Sequence, residues 1–164
     1  MVPKWSSMIL SEVHRNQVKK LGWPIDLANH WRTEVERSFP EAMVTRFEAL
    51  ISECKNHEKD QHVLASAIVC QADAIVTLNV KDFPAHALED WAVDVKTPSQ
   101  LLISFYEMRP TWIVGKLDDM AGCLGRTRLS TLARLNQTVP SFVSVVAQDL
   151  SIDLASILDA DKSA

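Results

Sequence analysis

Apolar residues recur every three or four positions through most of this chain, and short continuous apolar runs break that rhythm in its middle third. Over 60–71, Val63, Leu64, Ala67, Ile68 and Cys70 keep helical spacing, which predicts a helix with one well-buried face. Over 74–78 the residues are apolar and mostly β-branched apart from Thr77, the pattern of a strand covered on both faces in a parallel sheet. Upstream, Ser6 or Ser7 can cap a first helix that Gly22 and Pro24 stop. Residues 24–39 then predict a second helix, with Pro24 at an early position and Ile25, Leu27, Ala28, Trp31 and Val35 as its apolar stripe. Pro40 interrupts it, and 41–51 is expected to continue the helical hairpin before a polar stretch over 52–59.

Farther along, 91–95 reads as a final short strand, and Pro98 begins a helix through Leu101, Leu102, Phe105 and Tyr106. Beyond Arg109 and Pro110 the pattern becomes all-helical, near 111–123, 129–136 and 140–150, while the acids and small residues from 153 onward are expected to fray. This divides the chain into an α/β domain over 1–108 and a C-terminal helical extension over 109–164.

The chemistry concentrates where helix and strand meet. Asp60 opens the predicted helix, and Asn79 and Asp82 follow the predicted strand. In an open α/β sheet ligands bind beyond the carboxyl ends of the strands, so two acids delivered there can share one divalent cation. Taken singly, each has an ordinary alternative: a helix cap for Asp60, a turn for Asn79 and Asp82. Glu12, on the first helix, has one too, as a solvated partner of Arg15 worth about 0.2–0.5 kcal/mol.

The stretch Asp60-Gln-His-Val-Leu-Ala-Ser-Ala67, followed by Ala72-Asp-Ala-Ile-Val-Thr-Leu-Asn-Val-Lys-Asp-Phe-Pro84, resembles the PIN-domain nucleases, among them the ribonuclease toxins of bacterial toxin–antitoxin pairs. Pro3-Lys-Trp-Ser6 and Ile9-Leu-Ser-Glu12 resemble the first helix of the same subgroup. The resemblance implies a three-layer α/β fold around a central parallel sheet, with Glu12, Asp60 and Asp82 holding Mg²⁺ or Mn²⁺ and Asn79 positioning a ligand or water. It further implies an RNA substrate and an antitoxin protein as partner. Such domains begin with a strand bearing Asp-x-Asn-Val-Leu, and no match to it occurs in these residues. The expectation is therefore a sheet lacking its first strand, a weakened or absent activity, and open strand edges that favour a homodimer or larger assembly.

Composition bounds the rest. At 164 residues a single domain buries roughly 70% of the surface its unfolded chain exposes. Cys54, Cys70 and Cys123 are odd in number and lack C-x-x-C spacing, which argues against a disulfide framework or a structural zinc and suits the reducing cytoplasm. No apolar run approaches the roughly 18 residues of a membrane span. A net charge of −4 discourages indiscriminate nucleic-acid binding. It leaves room for local basic patches, at Arg15, Lys19 and Lys20 and at Arg126, Arg128 and Arg134, although solvated helix faces are the more ordinary explanation of such runs. His57, Asp60 and His62 do not match a zinc-ligand spacing.

Three functions stand at this point. One is a metal-dependent endoribonuclease of toxin type; another is a non-catalytic module that dimerises or binds an antitoxin-like partner through an incomplete sheet; the third makes the C-terminal helices a nucleic-acid-binding unit with Arg126, Arg128 and Arg134 on phosphates.

Overall fold

A computed structural model describes residues 2–162. The chain forms two compact units, one comprising residues up to 75 together with 79–95, the other 76–78 with 96 onward. No helix among the described residues is long and apolar enough to cross a membrane.

In the first unit, β1 (Trp5–Ser6) leads directly into α1 (Ser7–Lys19), whose first turn is capped by Ser6 Oγ accepting from the Ile9 N–H at 3.4 Å. Gly22, at φ +67°, makes the left-handed turn that only a residue without Cβ adopts freely. It separates α1 from α2 (Ile25–Ser38). The continued helix expected over 41–51 does not form. Met43–Val44 instead make β2, parallel to β1 in the register Trp5↔Met43 and Ser6↔Val44. Arg46 then takes φ +64°, outside the helical basin, so the chain turns before a 3₁₀ segment over Glu48–Glu53.

α3 (Gln61–Val69) follows a 3₁₀ turn over Glu58–Asp60, and β3 (Ala74–Val76) pairs with β4 (Asp94–Lys96). Asp94 N–H donates to the Asp73 carbonyl at 3.0 Å and Thr77 N–H to the Lys96 carbonyl at 2.9 Å, so both strands run the same way. A short helix, α4 (Ala85–Leu88), lies between them in sequence. The expectation of a strand covered on both faces over 74–78 holds only for Ile75. Val76 is 45% exposed and Leu78 is 76% exposed, because β3 has one paired edge and ends early. The strands of the described residues therefore form two separate pairs, β1–β2 and β3–β4, within an α/β architecture.

The core of this unit gathers Val44, Phe47, Cys54, Leu64, Ala65, Ala67, Ile75 and Phe83. The second unit builds its own core from α5 (Pro98–Met108), α6 (Pro110–Cys123), α7 (Arg128–Asn136), α8 (Pro140–Asp149) and α9 (Leu154–Lys162). Pro98, Pro110 and Pro140 each open a helix, where the missing N–H is no loss. Tyr106 meets Phe142 edge-on with ring centres 6.3 Å apart and donates to Asp149 Oδ2 at 2.6 Å. Burial and that bond push its phenol up to about 12. Residues beyond 153, expected to fray, form α9 because Ile157 is fully enclosed in this core.

Leu64 is completely buried whereas Val69, on the same helix, is 38% exposed. Leu64→Ala should destabilise the chain by about 2–5 kcal/mol. Val69→Ala should stay within about 0.5 kcal/mol. Urea unfolding of both variants, compared at equal m-value, measures the difference.

Candidate metal centre

Each of the three carboxylates singled out by sequence is carried by a different segment of the first unit. Asp60 ends the 3₁₀ turn Glu58–Asp60, immediately before α3, and its side chain makes no capping hydrogen bond. The cap reading of Asp60 is thereby removed. The turn is held by other atoms: Asp60 N–H donates to the His57 carbonyl at 2.8 Å, Lys59 N–H to His57 Nδ1 at 3.3 Å, and Gln61 Nε2 to the Cys54 carbonyl at 2.8 Å.

Asp82 closes a second 3₁₀ turn, Val80–Asp82, through its N–H to the Asn79 carbonyl at 2.9 Å. One backbone bond stitches the two turns together, from His57 N–H to the Asp82 carbonyl at 3.0 Å. Glu12 reaches in from α1. Its Oε1 accepts from Arg15 Nη2 at 3.3 Å, and its Oε2 lies 3.7 Å from His62 Nε2.

The electrostatics record the convergence. Burial, then the Asp82 charge, then the Glu12 charge hold the Asp60 carboxyl above the ordinary aspartate range, and His62 and His57 offset them only in part. A carboxylate penalised for its charge by two like neighbours is relieved by a cation placed among them. Among the described residues, however, no three Asp, Glu, His or Cys side chains close on a single coordination sphere. Mg²⁺ is usually held by one or two carboxylates with water in the remaining positions, and Glu12, Asp60 and Asp82 are the oxygen donors that could supply that part. They do not present a ready three-carboxylate cage. An open cavity of about 360 Å³ adjoins the Glu12 side and is lined by Ser7, Ser11, Glu12, Arg15, Lys59 and His62 among others.

The basic candidates fall apart into two groups. Arg15 shares α1 with Lys19, and its guanidinium is engaged by Glu12. Arg126 and Arg128 belong to the second unit. There Arg128 grips Asp118 through two bonds, Nε to Oδ1 at 2.7 Å and Nη2 to Oδ2 at 2.6 Å, so its charge is matched locally. Sequence reasoning gave no role to His62, two positions after Asp60 and only 5% exposed. Its position two residues after Asp60, in the first turn of the same helix, was the available signal.

One curated protein, named "Putative ribonuclease VapC50", from Mycobacterium tuberculosis (strain ATCC 25618 / H37Rv), is 32% identical to this chain over 134 residues, spanning 77% of the chain and 78% of that protein. No protein-family profile matches the chain, and no solved structure matches it.

Because the folded chain holds the Asp60 proton more readily than the unfolded one, stability falls as pH rises from the ordinary aspartate pKa, about 3.9, through the raised value of Asp60. Asp60→Asn removes that penalty. It should raise the unfolding temperature at pH 7 and leave it unchanged near pH 3, where both forms are neutral. Calorimetric melting of the two proteins at each pH, without divalent metal, reads the contrast.

Proposed function

This chain belongs to the VapC-type family of PIN-domain ribonucleases of toxin–antitoxin systems, and from that premise we propose that it is a divalent-metal-dependent endoribonuclease acting on cytoplasmic RNA. The observation that carries this reading is the approach of Glu12, Asp60 and Asp82 from three segments of the first unit, where burial first and then the Asp82 and Glu12 charges hold the Asp60 carboxyl above its ordinary range. Relief of that repulsion by a cation is what such a cluster does best.

Asp60, Asp82 and Glu12 hold Mg²⁺ or Mn²⁺, directly or through its waters, and Asn79, at the entry to the Val80–Asp82 turn, orients a ligand or water. Held there, a divalent ion would supply a more acidic bound water and charge neutralisation at the scissile phosphate. The chain's own residues supply placement: the His57 to Asp82 backbone bond keeps the two turns in register, and the Arg15 guanidinium holds one oxygen of Glu12. Arg15 and Lys19, on α1, steer the RNA backbone toward the acids. An antitoxin protein is the partner that restrains the activity.

We propose further that the centre takes another carboxylate from an Asp-x-Asn-Val-Leu strand added to an open edge of the strand pairs. Two separate two-stranded pairs and an exposed Val76 support this, since unpaired edges recruit additional strands. The same edges support the rival reading, a non-catalytic module that forms homodimers or binds a partner chain by strand addition.

Incubation of the chain with a mixed pool of single-stranded RNA should give cleavage that needs Mn²⁺ or Mg²⁺ and stops with EDTA. Asp60→Asn should weaken Mn²⁺ binding in a calorimetric titration and reduce cleavage by at least about 10-fold. A chain extended by the Asp-bearing strand should cut at least about 10-fold faster than the chain as it stands. An extended protein that folds, binds Mn²⁺ and leaves the RNA pool intact would give the function to the interaction module, in which case light scattering should find a dimer or larger at micromolar concentration.

A further inference from the structure

His62 is accounted for neither by the acidic triplet nor by core packing. Its ring sits in the first turn of α3, 5% exposed, on a helix whose Leu64 and Ala65 are wholly enclosed. The backbone is satisfied, with the His62 carbonyl accepting from Ser66 Oγ at 2.7 Å. The ring is not: Nε2 is buried with no hydrogen-bond partner. A buried polar nitrogen left unmatched is costly, and such a group calls for a partner. The acceptor it faces is Glu12 Oε2, 3.7 Å away, across the wall of the cavity that both residues line.

We infer that His62 is a positioning residue, whose Nε2–H holds the Glu12 carboxylate in the orientation it presents to the divalent cation. This rests on the metal-centre reading above. The present separation exceeds a hydrogen bond of about 2.7–3.2 Å, and a small rotation of the glutamate side chain closes it. Both Glu12 oxygens then have a donor, Arg15 on Oε1 and His62 on Oε2. The two donors are not equivalent. The Arg15 side chain is 56% exposed and that of His62 is 6% exposed. Water screens and loosens the arginine contact, whereas the enclosed ring has no competing solvent and a restricted set of rotamers. The imidazole therefore sets the angle of the carboxylate, as an outer partner does for a ligating group at a metal. A nitrogen ligand in its own right is the poorer fit, because Mg²⁺ selects oxygen.

Two substitutions separate these roles. His62→Gln keeps an N–H donor near the Nε2 position, and His62→Leu keeps the bulk and removes the donor. In calorimetric titrations of the full chain with Mn²⁺, His62→Leu should weaken binding by about 10-fold or more, with His62→Gln restoring most of that loss. Both variants should melt cooperatively. In the metal-free chain, ¹⁵N NMR of the imidazole should show the Nε2 resonance of His62 moving when Glu12 is replaced by alanine. Wild-type affinity in His62→Leu, together with an Nε2 signal indifferent to Glu12→Ala, would overturn the inference and leave the metal centre standing if Asp60→Asn still loses Mn²⁺. Equal loss in His62→Leu and His62→Gln would assign the ring to coordination or packing and overturn it as well. Should the wild-type chain take up no Mn²⁺ while the NMR coupling is present, the metal-centre reading fails, and the His62–Glu12 contact survives as a structural bond only.

Discussion

Helix α3 carries apolar side chains around most of its circumference, so it has to be enclosed, and the first unit is organised by that requirement. Leu64 and Ala65 have no exposed surface at all, and Ala67 retains little. The 3₁₀ segment Glu48–Glu53, α1 and β1 all pack against this helix. Burying each large apolar side chain contributes about 1.5–3 kcal/mol, far more than any exposed ion pair near it. The placement of Asp60 and His62 follows from that burial, because both ride on the start of a helix whose axial position the core dictates. Glu12 follows as well, since α1 is one of the walls.

Against this cohesion stands the repulsion of like charges. Nothing in the packing of α3 requires three carboxylates nearby, and burial first, then the Asp82 and Glu12 charges, hold the Asp60 carboxyl above its ordinary range, at a cost to its charged form. Such a cost persists where the surrounding structure overdetermines the geometry. Here the determinant is modest in size: one backbone bond from His57 to Asp82, and a turn pinned at Cys54 by the amide of Gln61. The acids are therefore fixed by main-chain contacts, with the exposed Arg15 at one oxygen of Glu12 and the buried His62 ring 3.7 Å from the other.

The second unit obeys a simpler logic. Its helices begin at prolines or capping boxes, such as Thr97 with Gln100 and Thr127 with Ser130. They enclose a core of their own around Phe142, Val143, Val146 and Leu132. The Tyr106 hydroxyl on Asp149 meets the polar need that burying a tyrosine creates. Arg128 is held by Asp118 through a two-bond pair, so its charge is matched locally.

Much of this was legible in one dimension. The spacing of Val63, Leu64, Ala67 and Ile68 specified α3, and Ser6 with Gly22 bracketed α1, because capping and helical periodicity are local properties of a few neighbouring residues. The motif resemblance nominated Glu12, Asp60 and Asp82 as candidates. Other features depended on contacts distant in sequence. Met43 and Val44 became a strand only because Trp5 and Ser6 lay alongside, and a two-residue segment carries no periodicity of its own. α9 formed, despite its small and acidic residues, because the core of the second unit had a place for Ile157. Whether Asp60 capped its helix or faced its fellow acids was likewise undecidable from spacing, as both uses begin with the same residue at the same position. Only the tertiary structure leaves the Asp60 side chain without a capping bond, brings Asp82 and Glu12 within electrostatic range of it and buries the ring of His62 next to Glu12. Burial and charge at a point depend on everything folded around that point, and no local pattern encodes them.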